Sequence, residues 1–428
     1  MMNNDLELDK GQAGEDFVNF IAYQSFLKYW CFPGPLDIAK DYKEICDLLV
    51  VFDDICLIVS VKNYTFKGNY ERYFNNTIEK AISQIEGAER KLFGQRPIVL
   101  KHPDRSEEVF IKETINHVYR IVINLSQDVK YYQTSVFRNS KHFTIMDALA
   151  WKSAITEMST LPDMIQYLTS RCNLFSTHPA FMFPREEYDF HTNDKISAAS
   201  AIEKIALDGE KVTMVLGSEL DLIANYINSG FKFSPELNHK LVNGISMFLD
   251  GQWNKYLKSK LSAQKEHFEQ ESYFIDHLVK NLLINTENGN FLAKLFFRLN
   301  RFDRADFARA FLKYHEDCVY GKSSKIKLNR THYLMPKINM VFIFFDDDFN
   351  REDLDDFIAL SLTHHHYLHD FKCAEVGALG MSRSGEDFVF GYAKLEDEHS
   401  EPEKLEMIKS FKKLGWQLTK IKDMESIK

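Results

Sequence analysis

The chain has 428 residues, 45% of them hydrophobic and 27% charged, with a formal net charge of -9. That length exceeds what one hydrophobic core supports and predicts about two or three domains, while the ordinary composition excludes a disordered chain. The acidic balance excludes bulk adhesion to nucleic acid, so any DNA contact must use a local basic surface.

Six cysteines, at 31, 46, 56, 172, 318 and 373, follow no CxxC spacing and read as reduced core residues. No zinc motif is present. The first nine residues are polar and acidic, unlike a signal peptide, and no stretch approaches the ~20 apolar residues that span a bilayer. The expected location is cytoplasmic, without a membrane partner.

In chain order, the first predicted element is a helix over Gly14–Tyr23. Phe17, Val18, Ile21 and Ala22 recur at helical spacing, and Glu15 stands at the start, three residues before Val18. Residues 44–62 then read as two apolar strands around the two-residue turn Asp53-Asp54. With Phe52 opposite Ile55, Asp47 falls opposite Ser60 and Lys62 lies on the diagonal. Alternation puts Asp47, Leu49 and Val51 on the face that Ser60 and Lys62 share. A charged Asp and Lys at the end of apolar strands must be paired, hydrated or metal-bound, because an isolated buried charge costs on the order of several kcal/mol or more. A structural ion pair between the strands is one reading, and a metal-dependent catalytic patch is the other. Asn76-Thr77 next caps a helix to about Leu92, with Ile78, Ala81, Ile82, Ile85 and Ala88 inward and Gln84 at the edge of that face.

This order is a helix with Glu15, a strand with Asp47, a strand ending Val61-Lys62-Asn63-Tyr64, and a helix with Gln84. It resembles the PD-(D/E)xK (restriction-endonuclease-like) nuclease superfamily, in its Mrr-like and nuclease-related-domain branch with a Gly-Glu first helix, over roughly residues 10–100. The resemblance implies Mg2+ or Mn2+ as cofactor and Asp47 as its central ligand. It gives Glu15 as a further carboxylate, Lys62 as the group that orients or deprotonates the attacking water, and Gln84 as a contact to water or the DNA backbone. One position departs from the pattern: Ser60 stands where the family has Glu or Asp. A hydroxyl is a poor ligand for hard Mg2+ beside a carboxylate. Either Glu15 or Glu44 supplies the missing charge, or the domain binds nucleic acid without cutting it.

After Arg96-Pro97 breaks the helix, Val118–Leu125 and Phe143–Asp147 read as strands. Ala148–Leu174 reads as two helices, the second starting at Thr160-Leu-Pro-Asp. Residues 176–196 are the best linker candidate, and from Ser197 to Tyr320 the reading is helical throughout. The basic stretch 321–330 reads as a solvated linker, with contact to phosphate as the alternative. Beyond it, Met340–Phe345 is a strand, Asn350 caps a helix to about His369, residues 374–381 and 388–394 form a hairpin, and a last helix covers Pro402–Leu414. His364, His365, His366 and His369 suit the negative end of their helix better than a metal site. Asp346-Asp-Asp348 reads as part of an acidic, solvated surface around a helix start. No GxxxxGK[ST] loop or GxSxG elbow occurs, which excludes the usual NTPase and serine hydrolase sites.

The expected fold is an α/β restriction-endonuclease-like domain over 1–180, a mainly α domain over 197–320 and a small α/β domain over 331–428. The expected function is metal-dependent hydrolysis of DNA phosphodiester bonds in prokaryotic restriction or anti-phage defence, as a homodimer or with a partner protein. The alternative is a catalytically inactive nucleic-acid-binding or interaction module of a larger defence complex.

Overall fold

The computed structural model describes residues 2–37, 43–67, 69–105, 107–126, 131–176, 180–183, 212–243, 246–284, 286, 289–321, 326–335, 337–370, 373–394 and 401–416. The protein is mixed α/β and divides into two compact units, Met1–Ala263 and Gln264–Lys428.

Unit 1 opens with helix α1 (Met2–Tyr23), strand β1 (Cys31–Pro33) and the hairpin β2 (Leu48–Phe52) and β3 (Ile55–Lys62), followed by helix α2 (Tyr70–Leu92). Then come β4 (Ile98–Leu100), β5 (Glu108–Phe110), β6 (His117–Asn124), β7 (Tyr132–Gln133), β8 (Ser135–Arg138) and β9 (Lys141–Asp147), and helices α3 (Ala148–Met158) and α4 (Leu161–Leu174). Six strands form one sheet in the order β1-β2-β3-β6-β9-β8. Its centre, β3-β6-β9, is parallel. Strands buried on both faces read as continuous Val/Ile/Leu runs, and β3 is buried from Cys56 to Lys62.

The hairpin register follows the sequence pattern. Asp53 takes φ 50°, a left-handed value that Asp tolerates, and the ladder runs from Phe52↔Ile55 to Leu48↔Val59. One more step places Asp47 opposite Ser60. Helix α2 covers the Ser60 face through the Arg120–Glu89 ion pair (2.7 Å) and the Tyr73 hydroxyl donating to Asn124. The opposite face meets α4, where Tyr119 bonds Thr169 at 2.6 Å; Tyr119 and Arg120 are adjacent in a strand and so point to opposite sides.

Two helix starts differ from expectation. Helix α1 begins at Met2, so Glu15 lies well inside the helix and not at its first turn. Helix α2 begins at Tyr70, because the Asn69 side chain accepts from Arg72 N at 2.8 Å, and Thr77 is a buried interior residue. Helices α3 and α4 separate as predicted, with Thr160 capping the second and a proline in its first turn.

A second sheet, β12-β11-β10-β7, includes β10 (Ala180–Phe183), β11 (Thr213–Leu216) and β12 (Met247–Phe248). Strand β10 lies in the stretch read as linker; 177–179 and 184–211 lie outside the described residues, among them the start of the stretch read as helical from Ser197. Strands β11 and β12 correct the all-helical reading of 197–320: each is short, and β11 pairs in parallel with strands distant in sequence, which local periodicity does not report. Arg171 on α4, with no exposed side-chain surface, pairs with Glu219 at 2.7 Å, and the hydroxyls of Tyr167 and Tyr132 also donate to Glu219.

Unit 2 carries helices Lys260–Leu278, Gly289–Phe297 and Arg301–Tyr320, the first beginning just before the unit boundary. Its four-stranded sheet pairs Leu328–Met335, Ile338–Phe345, Glu375–Ser382 and Phe388–Lys394, the two central strands parallel and both outer pairings antiparallel. Helix Arg351–Leu368 is capped by Asn350 as predicted, and the last helix is Glu401–Lys413. The Leu328–Met335 strand corrects the reading of 328–330 as linker; every residue in it is half-buried, so it has no clean apolar alternation. The acidic run is bonded to its surroundings: Asp346 pairs with Arg383, Asp347 accepts from Ser384 and Asp348 pairs with Lys327 at 3.3 Å. All six cysteines are free thiols. Among the described residues no helix is long and apolar enough to cross a membrane.

Candidate active site

The hairpin, α1 and α2 bring the sequence-predicted residues to one end of the central strands. Asp47 Oδ2 accepts from the Val61 backbone N–H, and Ser60 Oγ lies 3.1 Å from the same oxygen and 3.3 Å from Gln84 Oε1. A hydroxyl has one proton, so Ser60 can donate to only one of these acceptors at a time. This fixes one oxygen of Asp47 against the strand.

Lys62 is only 8% exposed, and its Nζ donates to the Val61 carbonyl at 2.9 Å. Among the described residues no direct ion pair joins Asp47 to Lys62, although the Asp47 charge acts on the Lys62 ammonium. Burial holds the Lys62 ammonium below the usual lysine range; the charge of nearby Lys80 pushes the same way, while Asp47, Glu15 and Glu44 oppose it. Lys80 was not anticipated, although its position one helical turn before Gln84 would have found it.

Glu15 reaches this end of the sheet because α1 passes close to it at Gly14. A Cβ on Gly14 would stand 2.9 Å from Leu125 Cδ1 and 3.2 Å from Asn63 Cβ. Glycine here serves close approach, and the next residue is thereby held beside the strand ends. Burial raises the Glu15 pKa, and the negative charge of Asp47 raises it further, with Lys62 acting against both.

Glu44 completes the group. Its residue surface is exposed, yet partial desolvation of the carboxyl and then the charges of Asp47 and Glu15 push it up to about 7. Lys91 anchors its backbone by donating to the Glu44 carbonyl at 3.0 Å. Three carboxylates thus repel one another around a buried lysine.

No family model and no curated protein matches the chain. Among the described residues no three His, Cys, Asp or Glu side chains are gathered closely enough to form a ready metal cage. Mg2+ does not need one: it is commonly held by one or two carboxylates and keeps several waters. Asp47 retains an oxygen not engaged by the strand, and Glu15 and Glu44 are hard oxygen donors whose mutual repulsion a divalent cation would relieve. This donor set fits Mg2+ or Mn2+.

At His365 the structure corrects the helix-dipole reading. His364, His365 and His366 are buried, and Arg330 Nη2 bonds His364 Nδ1 at 2.8 Å and Arg330 Nη1 bonds His332 Nε2 at 3.1 Å. A guanidinium only donates, so His332 Nε2 is the acceptor and its Nδ1 carries the proton given to His365 Nδ1 at 2.9 Å. Burial drives His332 down to about 3 and His365 to about 2. An uncharged His365 ring cannot serve as a cation for the helix end, so at that residue desolvation outweighs the dipole.

Proposed function

We propose that unit 1 carries a nuclease of PD-(D/E)xK type that hydrolyses DNA phosphodiester bonds with Mg2+ or Mn2+. The observation that carries this reading is the placement of Asp47, anchored by the Val61 N–H and Ser60, at the strand end that also presents the buried Lys62, with the carboxylates of Glu15 and Glu44 coupled to the same end. The helix, antiparallel hairpin, helix and parallel strand that present them support it, since this is the frame the family resemblance implies. The same resemblance supports a place in prokaryotic restriction or anti-phage defence, acting as a homodimer or with a partner protein.

Asp47 would hold the cation, with Glu15 and Glu44 beside it. When bound, such an ion polarises a phosphoryl oxygen and makes water more acidic. Lys62 orients the attacking water, and its lowered pKa leaves more of the amine unprotonated near neutral pH, and so free to take a proton, than an ordinary lysine. Gln84 and Ser60 hold the geometry, Ser60 by its hydrogen bond to Asp47. The test is cleavage of plasmid and single-stranded DNA with Mg2+ or Mn2+. Asp47→Asn is expected to abolish cutting and Lys62→Met to lower it about 10²- to 10⁴-fold; cutting unchanged in Asp47→Asn would refute the site.

A second reading is favoured by Ser60 itself. Its hydroxyl and the Val61 N–H both occupy Asp47 Oδ2, at the position where the family places a second acid. On that reading the domain holds nucleic acid without cutting it. Wild type then binds but does not cut, and Ser60→Glu creates metal-dependent cleavage.

A further inference from the structure

We propose that the concavity of about 540 Å3 at the C-terminal end of α2, lined by Arg90, Lys91, Gln95 and Arg96, is a phosphate subsite that holds the nucleic-acid strand beside the bond to be cut. The proposal rests on the nucleic-acid reading of unit 1. Asp37 also lines the concavity, so three cations face one carboxylate and the lining carries a net +2, in a chain of net charge -9.

The cations of this region are divided between structure and solvent. Glu79 and Glu86 on α2 are matched by Arg138 at 3.0 and 3.6 Å, and Glu89 by Arg120 and Lys141 at 2.7 and 3.1 Å. Arg90 and Arg96 are exposed and pair with no carboxylate among the described residues. Cations in a last helical turn also suit the negative end of the helix, which accounts for Arg90 and Lys91. It does not account for Arg96, which lies beyond the end of α2 at Leu92, where Lys112 already donates to the Gly94 carbonyl.

The concavity is tied to the carboxylate group by the Lys91 bond to the Glu44 carbonyl. Lys80, Gln84, Gly87 and Lys91 recur at helical spacing, so one face of α2 leads from Lys62 and Ser60 to this basic end. From Gln84 to Lys91 the helix rises about 10 Å, roughly three nucleotide steps of a B-form strand at about 3.4 Å each. Gly87 contributes no side chain to obstruct that path, and a Cβ there would meet only Arg90 Nη2, at 3.8 Å.

The test is fluorescence anisotropy of labelled single- and double-stranded DNA against salt, with the full chain and no added metal. Arg90→Gln/Arg96→Gln is expected to weaken binding about tenfold or more and to reduce the log–log salt slope by about 1.4 to 1.8, the loss of two phosphate contacts. A control, Lys313→Gln/Lys409→Gln, removes the same charge from unit 2 and is expected to leave binding near wild type. Absence of DNA binding by wild type, unchanged binding in the arginine variant, or an equal loss in the control overturns the subsite. Inorganic phosphate that displaces DNA more effectively than an unlabelled oligonucleotide at equal charge overturns the strand assignment in favour of a free-anion site. Cleavage is scored separately: binding that depends on the arginines in a protein that never cuts keeps the subsite and rejects the nuclease, whereas cutting lost in Asp47→Asn with unaltered arginine-variant binding does the reverse.

Discussion

Glu44→Gln isolates the electrostatic strain of the carboxylate group. In the folded protein Glu44 is raised from 4.5 to about 7 by desolvation and by Asp47 and Glu15. A folded pKa above the unfolded one means that the protonated form favours folding: its stability is fully present below about pH 4.5, falls as pH rises toward 7, and stays lost above it. The distance from 4.5 to about 7 sets a ceiling of about 3.4 kcal/mol at 1.36 kcal/mol per pH unit. Because the residue is exposed, solvent screening reduces this to about 1 kcal/mol. Glutamine has nearly the same shape without the charge, so the variant should gain about 1 kcal/mol at about pH 8 and almost nothing at about pH 4. Thermal melts at the two pH values read this directly, as an upward shift of roughly 2–4 °C at the higher pH only. Added Mn2+ should stabilise wild type more than the variant at the higher pH, because the cation relieves the same repulsion. A variant no more stable than wild type at high pH, or equally stabilised at both, would refute the coupled group.

The other expectations follow from contacts already described. Asp47→Ala leaves the Val61 N–H without its acceptor and should cost about 1–3 kcal/mol in urea unfolding, whereas Asp47→Asn keeps an acceptor oxygen and should cost much less; equal costs would show that the charge, not the hydrogen bond, holds the strand end. Gly14→Val drives a side chain into Leu125 and Asn63, should cost about 1–3 kcal/mol, and should remove the raised pKa of Glu15 as read by carboxyl NMR titration. His332 and His365 are held neutral, so their ring resonances should not titrate between about pH 8 and 5. Since their folded pKa lies below the unfolded value, they should make unit 2 lose stability as pH falls from about 6.5 toward 3, a loss that His365→Asn should reduce.

The hairpin register was legible because a two-residue turn and a period of two leave one solution that buries both strands. That counting brought Asp47, Ser60 and Lys62 together from sequence alone. Gln84 was legible for a similar reason, since the buried stripe of α2 fixes which edge faces the sheet. The roles of Gly14 and Glu44 were harder to read. Gly14 matters through Leu125, more than a hundred residues away, and the strain on Glu44 exists only once three elements meet. Helix starts were misplaced where a better cap lay upstream, as at Asn69. Leu328–Met335 was missed because all its residues are of intermediate burial, which leaves no alternation to read. His365 was misread because its burial, together with His332 from a strand more than thirty residues earlier, opposes the charge that a lone helix end would favour.

The Arg171–Glu219 pair has a consequence for dissecting the protein. Both side chains are shut away from solvent, and they join α4 to residues more than forty positions downstream. A fragment ending near residue 180 would keep the strands, α2 and all the candidate site residues, yet would retain Arg171 as a cation with its acid removed. Stranding one member of such a pair costs about 3–5 kcal/mol, a large part of the stability of an ordinary domain. The smallest autonomous piece able to present the site therefore extends through the second sheet to about residue 263, and inactivity of a shorter fragment would report lost folding rather than absent chemistry.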